Sequence, residues 1–127
     1  MNVVVDTCVW IDFLAGRPQP ALEAALAEGR VTLPPIVLAE LLSGTRTPKE
    51  HADLVDLLAD LTMHDTSREH WQEVGVLRRV LAKKGVAISI PDAHVARCAV
   101  ELKATLLSSD RVFAKVAKHC GVTLASH

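Results

Sequence analysis

Four acidic side chains stand at positions where a folded chain often does chemistry. Asp6 directly follows the apolar run Val3-Val4-Val5, and Asp110 follows the apolar run 104–107 after two serines. Because the carboxyl ends of parallel strands border the crevice where ligands bind, both acids are predicted to lie at such a crevice. Asp92 lies at the start of a predicted helix, and Glu40 interrupts an otherwise apolar one.

Each acid also has a purely structural interpretation. Asp6 and Asp110 could cap the helices that follow them, and Asp92 could close a capping box begun at Ser89. Glu40 is harder to explain in this way, because the residues three and four positions away on its helix are apolar or small. We therefore expect Glu40 on a buried face, where an unpaired carboxylate is costly unless a partner or a cation compensates it.

The four acids together indicate a metal site. Carboxylates that converge on one crevice repel one another and raise each other's pKa, so a bound cation would be needed to stabilise them. Oxygen ligands favour Mg²⁺ or Mn²⁺, and the six histidines lack the spacing of a zinc site. Such a metal can activate water and stabilise charge on a phosphate. The predicted reaction is metal-assisted hydrolysis of a phosphodiester.

The elements that must position these acids alternate along the chain. Apolar periodicity predicts strands at 3–5, 30–33, 62–65, 104–107 and 122–124, with helices between them. Since parallel neighbours need crossover connections, this order predicts an α/β fold with three layers, helix on sheet on helix, around a mainly parallel sheet. The 127 residues are predicted to form a single domain, 1–127.

Composition narrows the cellular setting. Lys and Arg number 14 against 15 for Asp and Glu, so net charge alone indicates no nucleic-acid partner. Three cysteines without CxxC spacing favour a reducing compartment, and Cys8 is expected in the core. The chain shows neither a signal peptide nor an apolar run long enough for a membrane span, so a cytoplasmic location is predicted. His94 is expected at the surface.

At the acids the chain resembles the PIN-domain nucleases, and in particular the VapC-type toxins. The resemblance is carried by Val5-Asp6-Thr7, by Glu40 in Val37-Leu38-Ala39-Glu40-Leu41, by Pro91-Asp92-Ala93 and by Ser108-Ser109-Asp110. It implies that Asp6, Glu40, Asp92 and Asp110 are catalytic and bind the metal, with Thr7 and Ser108 as supporting hydroxyls. It also implies RNA cleavage with Mg²⁺ or Mn²⁺, a homodimer and a cognate antitoxin. Many relatives carry a polar residue two positions after the last acid, whereas this chain has Val112 there. The number of bound metal ions, one or two, therefore stays open.

Three basic side chains near the acids in sequence have two interpretations. Arg46, Lys49 and Arg111 could contact RNA phosphates, or they could serve only solubility. Two alternatives to the nuclease also stay open. The first is a receiver-like phosphoacceptor domain, although such a site needs paired acids after the first strand where Asp6 stands alone. The second is a PIN-like module that binds a partner without catalysis.

Overall fold

The computed structural model describes residues 1–125 and shows strands alternating with helices. The strands are β1 (Val3–Val5), β2 (Val31–Leu33), β3 (Thr62–Met63), β4 (Thr105–Leu107) and β5 (Thr123–Leu124). The helices are α1 (Thr7–Leu14), α2 (Pro20–Ala27), α3 (Pro35–Ser43), α4 (Pro48–Ala59), α5 (Arg68–Lys83), α6 (Ile90–Leu102) and α7 (Val112–Ala117). Each element lies within or next to the segment that periodicity predicts.

The strands form one five-stranded sheet in the order β3-β2-β1-β4-β5. Every neighbouring pair is parallel, which confirms the predicted α/β fold with a parallel sheet flanked by helices. β1 lies at the centre of the sheet, and Val4 and Val5 are fully buried. This position explains an uninterrupted β-branched run, because a central parallel strand is covered on both faces. The order also differs from the 2-1-3-4-5 arrangement of receiver-like folds, so the phosphoacceptor alternative is not supported.

Polar caps set the beginnings of three helices. The side chains of Thr47, Ser67 and Ser89 accept hydrogen bonds from backbone N–H groups three residues later, at the first turns of α4, α5 and α6. Gly85 follows α5 with a φ of +79°, a left-handed conformation that a glycine adopts without strain. Local sequence therefore fixes where these helices start and, for α5, where it stops.

Large apolar side chains hold the helices on the sheet. Trp10 of α1 and Phe113 of α7 are at most 1% exposed, and α4 packs through Leu54 and Leu58. The neighbouring Leu57 is 37% exposed. No helix within residues 1–125 combines the length and apolarity that a membrane span requires.

Candidate metal centre

The register of two central strands brings Asp6 next to Ser108. Val5 of β1 is paired with Leu107 of β4, so the residues that follow them leave the sheet side by side. The Asp6 backbone N–H donates to the Leu107 carbonyl at 2.9 Å, and Ser108 Oγ donates to Asp6 Oδ2 at 2.9 Å. Asp6 is 7% exposed and stands at the N-cap of α1, but its side chain makes no capping hydrogen bond. The capping interpretation of Asp6 therefore fails.

The side chain of Glu40 is hydrogen-bonded to the first residue of α1. Thr7 Oγ1 donates to Glu40 Oε1 at 2.8 Å, which joins α1 to the last turns of α3. The prediction that Glu40 lies on a buried face is wrong, because the residue is exposed. The core-facing side of α3 is supplied by Val37 and Leu41, and Glu40 lines an open groove instead. Thr7 thus lies where a supporting hydroxyl is expected.

Asp92 lies in the first turn of α6. Its backbone N–H donates to Ser89 Oγ at 3.1 Å. Burial raises the pKa of its carboxyl group above the ordinary value. The negative charges of Asp6, Asp110 and Glu40 raise this pKa further, whereas a hydrogen bond with Ser89 lowers it in part. The carboxyl group of Asp92 therefore lies within electrostatic range of the other three acids.

Asp110 lies in the turn between β4 and α7. Its backbone N–H donates to Ser108 Oγ at 3.0 Å, and its Oδ1 accepts from the Val112 N–H at 3.0 Å. The side chain therefore stabilises its own turn, which is part of the capping role that the sequence allowed. Ser108 contacts both Asp6 and Asp110, so one hydroxyl links the two acids that follow neighbouring strands.

Cys8 is a neighbour of the acids that the sequence interpretation missed. It was expected in the core, yet it is only partly buried, and its Sγ donates to Asp6 Oδ2 at 3.4 Å. Ser109 Oγ donates to the same sulfur at 3.2 Å. Cys8 lies two positions after Asp6, in the first turn of α1, and that short spacing was the available signal.

The acids offer the oxygen donors that a hard divalent cation prefers. Four carboxylates from four parts of the chain share one region, and each of Asp6, Glu40 and Asp92 has a hydroxyl beside it. The pKa of Asp92 is raised first by burial and then by the charges of the other three acids, and a bound Mg²⁺ or Mn²⁺ would offset that repulsion.

The three basic residues near the acids differ in their surroundings. Arg46, Lys49 and Arg111 are all exposed. Lys49 Nζ pairs with Asp53 Oδ2 at 2.7 Å, and this hydrogen bond, with the charge of Asp53, raises the pKa of the lysine. Arg46 lines the same groove as Glu40. Arg46 and Arg111 are therefore better disposed than Lys49 to meet a ligand at the acids.

The histidines were also misjudged. His94, expected at the surface, is completely buried in α6. The absence of metal-ligand spacing along the sequence was misleading too, because His64, His70 and Cys98 meet in space. Sequence spacing detects such a group only when its members are close along the chain.

Comparison with known proteins places this geometry in a family. The PIN domain family model matches residues 3–119. No curated protein sequence matches the chain. Among solved structures, VapBC from Salmonella typhimurium bound to DNA contains a chain with a TM-score of 0.83 and 21% identity, covering 98% of this chain and 97% of that one.

Two further structures have the same fold. VapBC2 from Rickettsia felis, bound to a DNA fragment of its promoter, gives a TM-score of 0.80 at 23% identity, with 98% of each chain covered. VapBC-5 from Mycobacterium tuberculosis is a member of the VapBC family of toxin–antitoxin systems. It gives a TM-score of 0.71 at 22% identity, with 100% of each chain covered. The match across residues 3–119, on a parallel sheet with acids at its strand ends, shows that the chain belongs to the PIN domain family.

Proposed function

We propose that the chain is a metal-dependent endoribonuclease that acts as the toxin of a toxin–antitoxin pair. The observation that carries the proposal is the hydrogen bonding around the acids, in which Ser108 contacts both Asp6 and Asp110. The Thr7–Glu40 hydrogen bond and the effect of Asp6, Glu40 and Asp110 on the Asp92 carboxyl group also support a shared site. Membership of the PIN domain family supports the nuclease assignment, and the likeness to chains of VapBC complexes supports the toxin assignment. The whole of 1–127 acts as one domain in this proposal, in the cytoplasm where its RNA substrate lies.

In this proposal Asp6, Glu40, Asp92 and Asp110 are the catalytic residues and would hold Mg²⁺ or Mn²⁺. When bound, the metal supplies an acidified water and stabilises charge on the phosphate undergoing hydrolysis. The chain's own hydroxyls orient the carboxylates. Ser108 donates to one oxygen of Asp6, and Thr7 donates to one oxygen of Glu40, so the rotation of both side chains is restricted. This orientation reduces the reorganisation that the site needs when substrate binds.

The RNA backbone would lie along the exposed rim of the site. Arg111 follows Asp110 directly, and Arg46 lines the groove that contains Glu40, so both guanidinium groups can reach phosphates near the acids. We retain Lys49 as a weaker contact, because it would first have to leave Asp53. The positive charges of these side chains offset the negative charges of the acids, and this reduces the repulsion between the site and a polyanionic substrate.

The groove beside Glu40 is a suitable place for the antitoxin. It has a volume of about 620 Å³ and lies between α1, α3 and α4. Its apolar lining includes Ile11, Leu14 and Leu57, which are 54%, 45% and 37% exposed. Glu40 and Asp53 also line it. An apolar segment with a basic side chain would complement this surface and cover Glu40 at the same time.

A homodimer completes the proposal. Besides Leu57, the helix α4 exposes Val55, and α5 exposes Val76 and Val80, at 37–40% each. A second copy could cover one of these faces. We expect light scattering at micromolar concentration to give twice the mass of the 13.7 kDa chain. A mass of one chain at every concentration would contradict the dimer and leave the nuclease assignment intact.

Induced expression with sequencing of RNA 5′ ends tests the function. We expect growth to stop and new 5′ ends to appear within minutes in cells that express the wild-type chain. Cells that express Asp110→Asn at the same level should grow and lack those ends. Co-expression of the antitoxin should restore growth for the wild type, and less so for Leu57→Glu, whose charge disrupts the apolar groove lining.

The same experiment distinguishes a nuclease from a PIN-like module that binds a partner without catalysis. A PIN-like module that only binds a partner would arrest growth, if at all, without new RNA 5′ ends. Its effect would also survive in Asp110→Asn, because binding does not need the metal. Either result would overturn the nuclease proposal.

A further inference from the structure

A buried group of metal-binding side chains lies outside the four acids, where α5 packs on α6. His64 follows β3, His70 lies in the first turn of α5, and Cys98 lies in the middle of α6. Each offers one ligand atom, and these three atoms lie within 4.8 Å of one another. His70 is 3% exposed and Cys98 is fully buried, whereas the His64 side chain is 18% exposed. Nitrogen and sulfur donors from three elements therefore meet in one place.

Glu101 supplies an oxygen to the same group from the next turn of α6. Its Oε1 lies 2.9 Å from His64 Nε2 and 2.9 Å from His70 Nδ1. Burial by itself raises the pKa of Glu101, but hydrogen bonds with His64 and His70 and the charges of His70 and Arg97 outweigh it, so the pKa lies below its ordinary value. Glu101 is therefore a carboxylate at neutral pH and can act as a ligand.

We propose that His64, His70, Cys98 and Glu101 form a structural Zn²⁺ site. Two imidazoles, a thiolate and a carboxylate make a four-ligand set that zinc accepts and that Mg²⁺ does not favour. Tetrahedral zinc bond lengths place ligand atoms roughly 3.3–3.7 Å apart. The separations among the ligand atoms of His64, His70 and Cys98, at most 4.8 Å, would close by up to about 1 Å, and the 2.9 Å separations between Glu101 and the two imidazoles would open slightly. His64 borders the loop between β3 and α5, and this loop can supply that movement.

The charges of the four ligands suit a buried dication. A thiolate and a carboxylate together cancel the charge of Zn²⁺, which avoids leaving a net charge in the interior. Burial, with the nearby charge of Glu101, raises the pKa of the Cys98 thiol to about 12, so the thiol is protonated when no metal is bound. Zinc binding would then release that proton to solvent as the S–H bond is replaced by a Zn–S bond.

His94 is placed to orient two of these ligands. Burial, with the charge of His70, lowers the pKa of His94 to about 4, so the ring is neutral at neutral pH and carries one proton. Without metal, His94 Nε2 accepts from the Ile36 backbone N–H at 3.5 Å, so the ring proton is on Nδ1, which lies 2.7 Å from His70 Nε2. With His70 Nδ1 on zinc, the protons of both rings would be on Nε2, so that His70 donates to His94 Nδ1 and His94 Nε2–H faces Cys98 Sγ, 3.7 Å away, in place of Ile36. This arrangement gives both a metal-bound imidazole and a metal-bound thiolate an outer hydrogen-bond partner.

Zinc at this position would act on the fold and not on the reaction. It would join the end of β3, the start of α5 and the middle of α6, and α6 carries Asp92 in its first turn. Trp71, stacked on His94 with ring centroids 4.7 Å apart, covers the group from the side of α5. The inference does not depend on nuclease activity, because ligand identity and affinity can be measured directly.

Cobalt substitution in the purified full-length chain tests the site. Chelator-stripped protein would be given one equivalent of Co²⁺ in excess Mg²⁺, which occupies the acids. We expect a near-ultraviolet thiolate-to-cobalt band in the wild type, in Cys8→Ser and in Cys120→Ser, and its loss in Cys98→Ser. Absence of the band from the wild type, or its persistence in Cys98→Ser, would overturn the proposal.

A second variant covers the case in which Cys98→Ser fails to fold. His64→Ala removes a partly exposed ligand, and we expect it to weaken Zn²⁺ affinity by more than about 100-fold, above the loss typical of an outer-shell partner. His51→Ala, an exposed histidine on α4, is the matched control and should bind as the wild type does. Equal zinc affinity and equal thermal stabilisation by zinc in the two variants would refute a site at His64.

Discussion

Asp6→Asn is expected to lower the rate of RNA cleavage by more than about 100-fold, because losing even an outer-shell partner of a metal ligand typically costs 10–100-fold. Asp6 is the least exposed of the four acids, it follows the central strand β1, and Ser108 holds its Oδ2 at 2.9 Å. Asparagine keeps the size of the side chain and an oxygen that can accept from Ser108. It removes the negative charge that a divalent cation requires.

The fold should survive this substitution. Burial is the main cause of the raised pKa of Asp92, and the charge of Asp6 adds to it. Because Asp6→Asn removes that repulsion, the variant should melt at or slightly above the wild-type temperature without metal. Asp56→Asn, an exposed change on α4, serves as the matched control and should leave both cleavage and melting unchanged. A folded Asp6→Asn protein that cleaves within a few-fold of the wild type would show that the acids are not the catalytic site.

Removal of divalent metal should lower the rate of RNA cleavage about as much as Asp6→Asn does. The site offers four carboxylates, and the cationic side chains near it are exposed. Within residues 1–125 there is thus no buried Lys or Arg to stabilise charge on a phosphate. We expect excess EDTA to abolish cleavage, and Mg²⁺ or Mn²⁺ in excess of the chelator to restore it. The thermal shift on adding Mg²⁺ should be larger for the wild type than for Asp6→Asn, because bound ligand stabilises by mass action.

The sequence was informative where local rules decide the structure. The buried strand Val3–Val5 and the cap at Ser89 depend on a few neighbouring residues, and they form as predicted. A polar residue directly after a buried strand is also a local pattern. It led to Asp6, one of the three acids whose charges raise the pKa of Asp92.

The features that the sequence did not predict depend on contacts between segments that are distant along the chain. The neighbours of Glu40 along α3 indicated a core face, but the groove beside α1 and α4 leaves that side open, and Thr7 supplies the partner. The burial of His94 likewise comes from α5, which places His70 and Trp71 against it. Periodicity within one helix gives no information about such a partner.

The most direct test of the central claim is a Mn²⁺ titration of the purified wild-type chain, with bound metal and the rate of RNA cleavage measured in the same samples. We predict that the rate rises in proportion to the fraction of sites filled, and that Asp6→Asn binds Mn²⁺ more weakly and stays inactive at concentrations that saturate the wild type. A cleavage rate independent of bound Mn²⁺, or full activity in excess chelator, would contradict a metal-dependent nuclease built on Asp6, Glu40, Asp92 and Asp110.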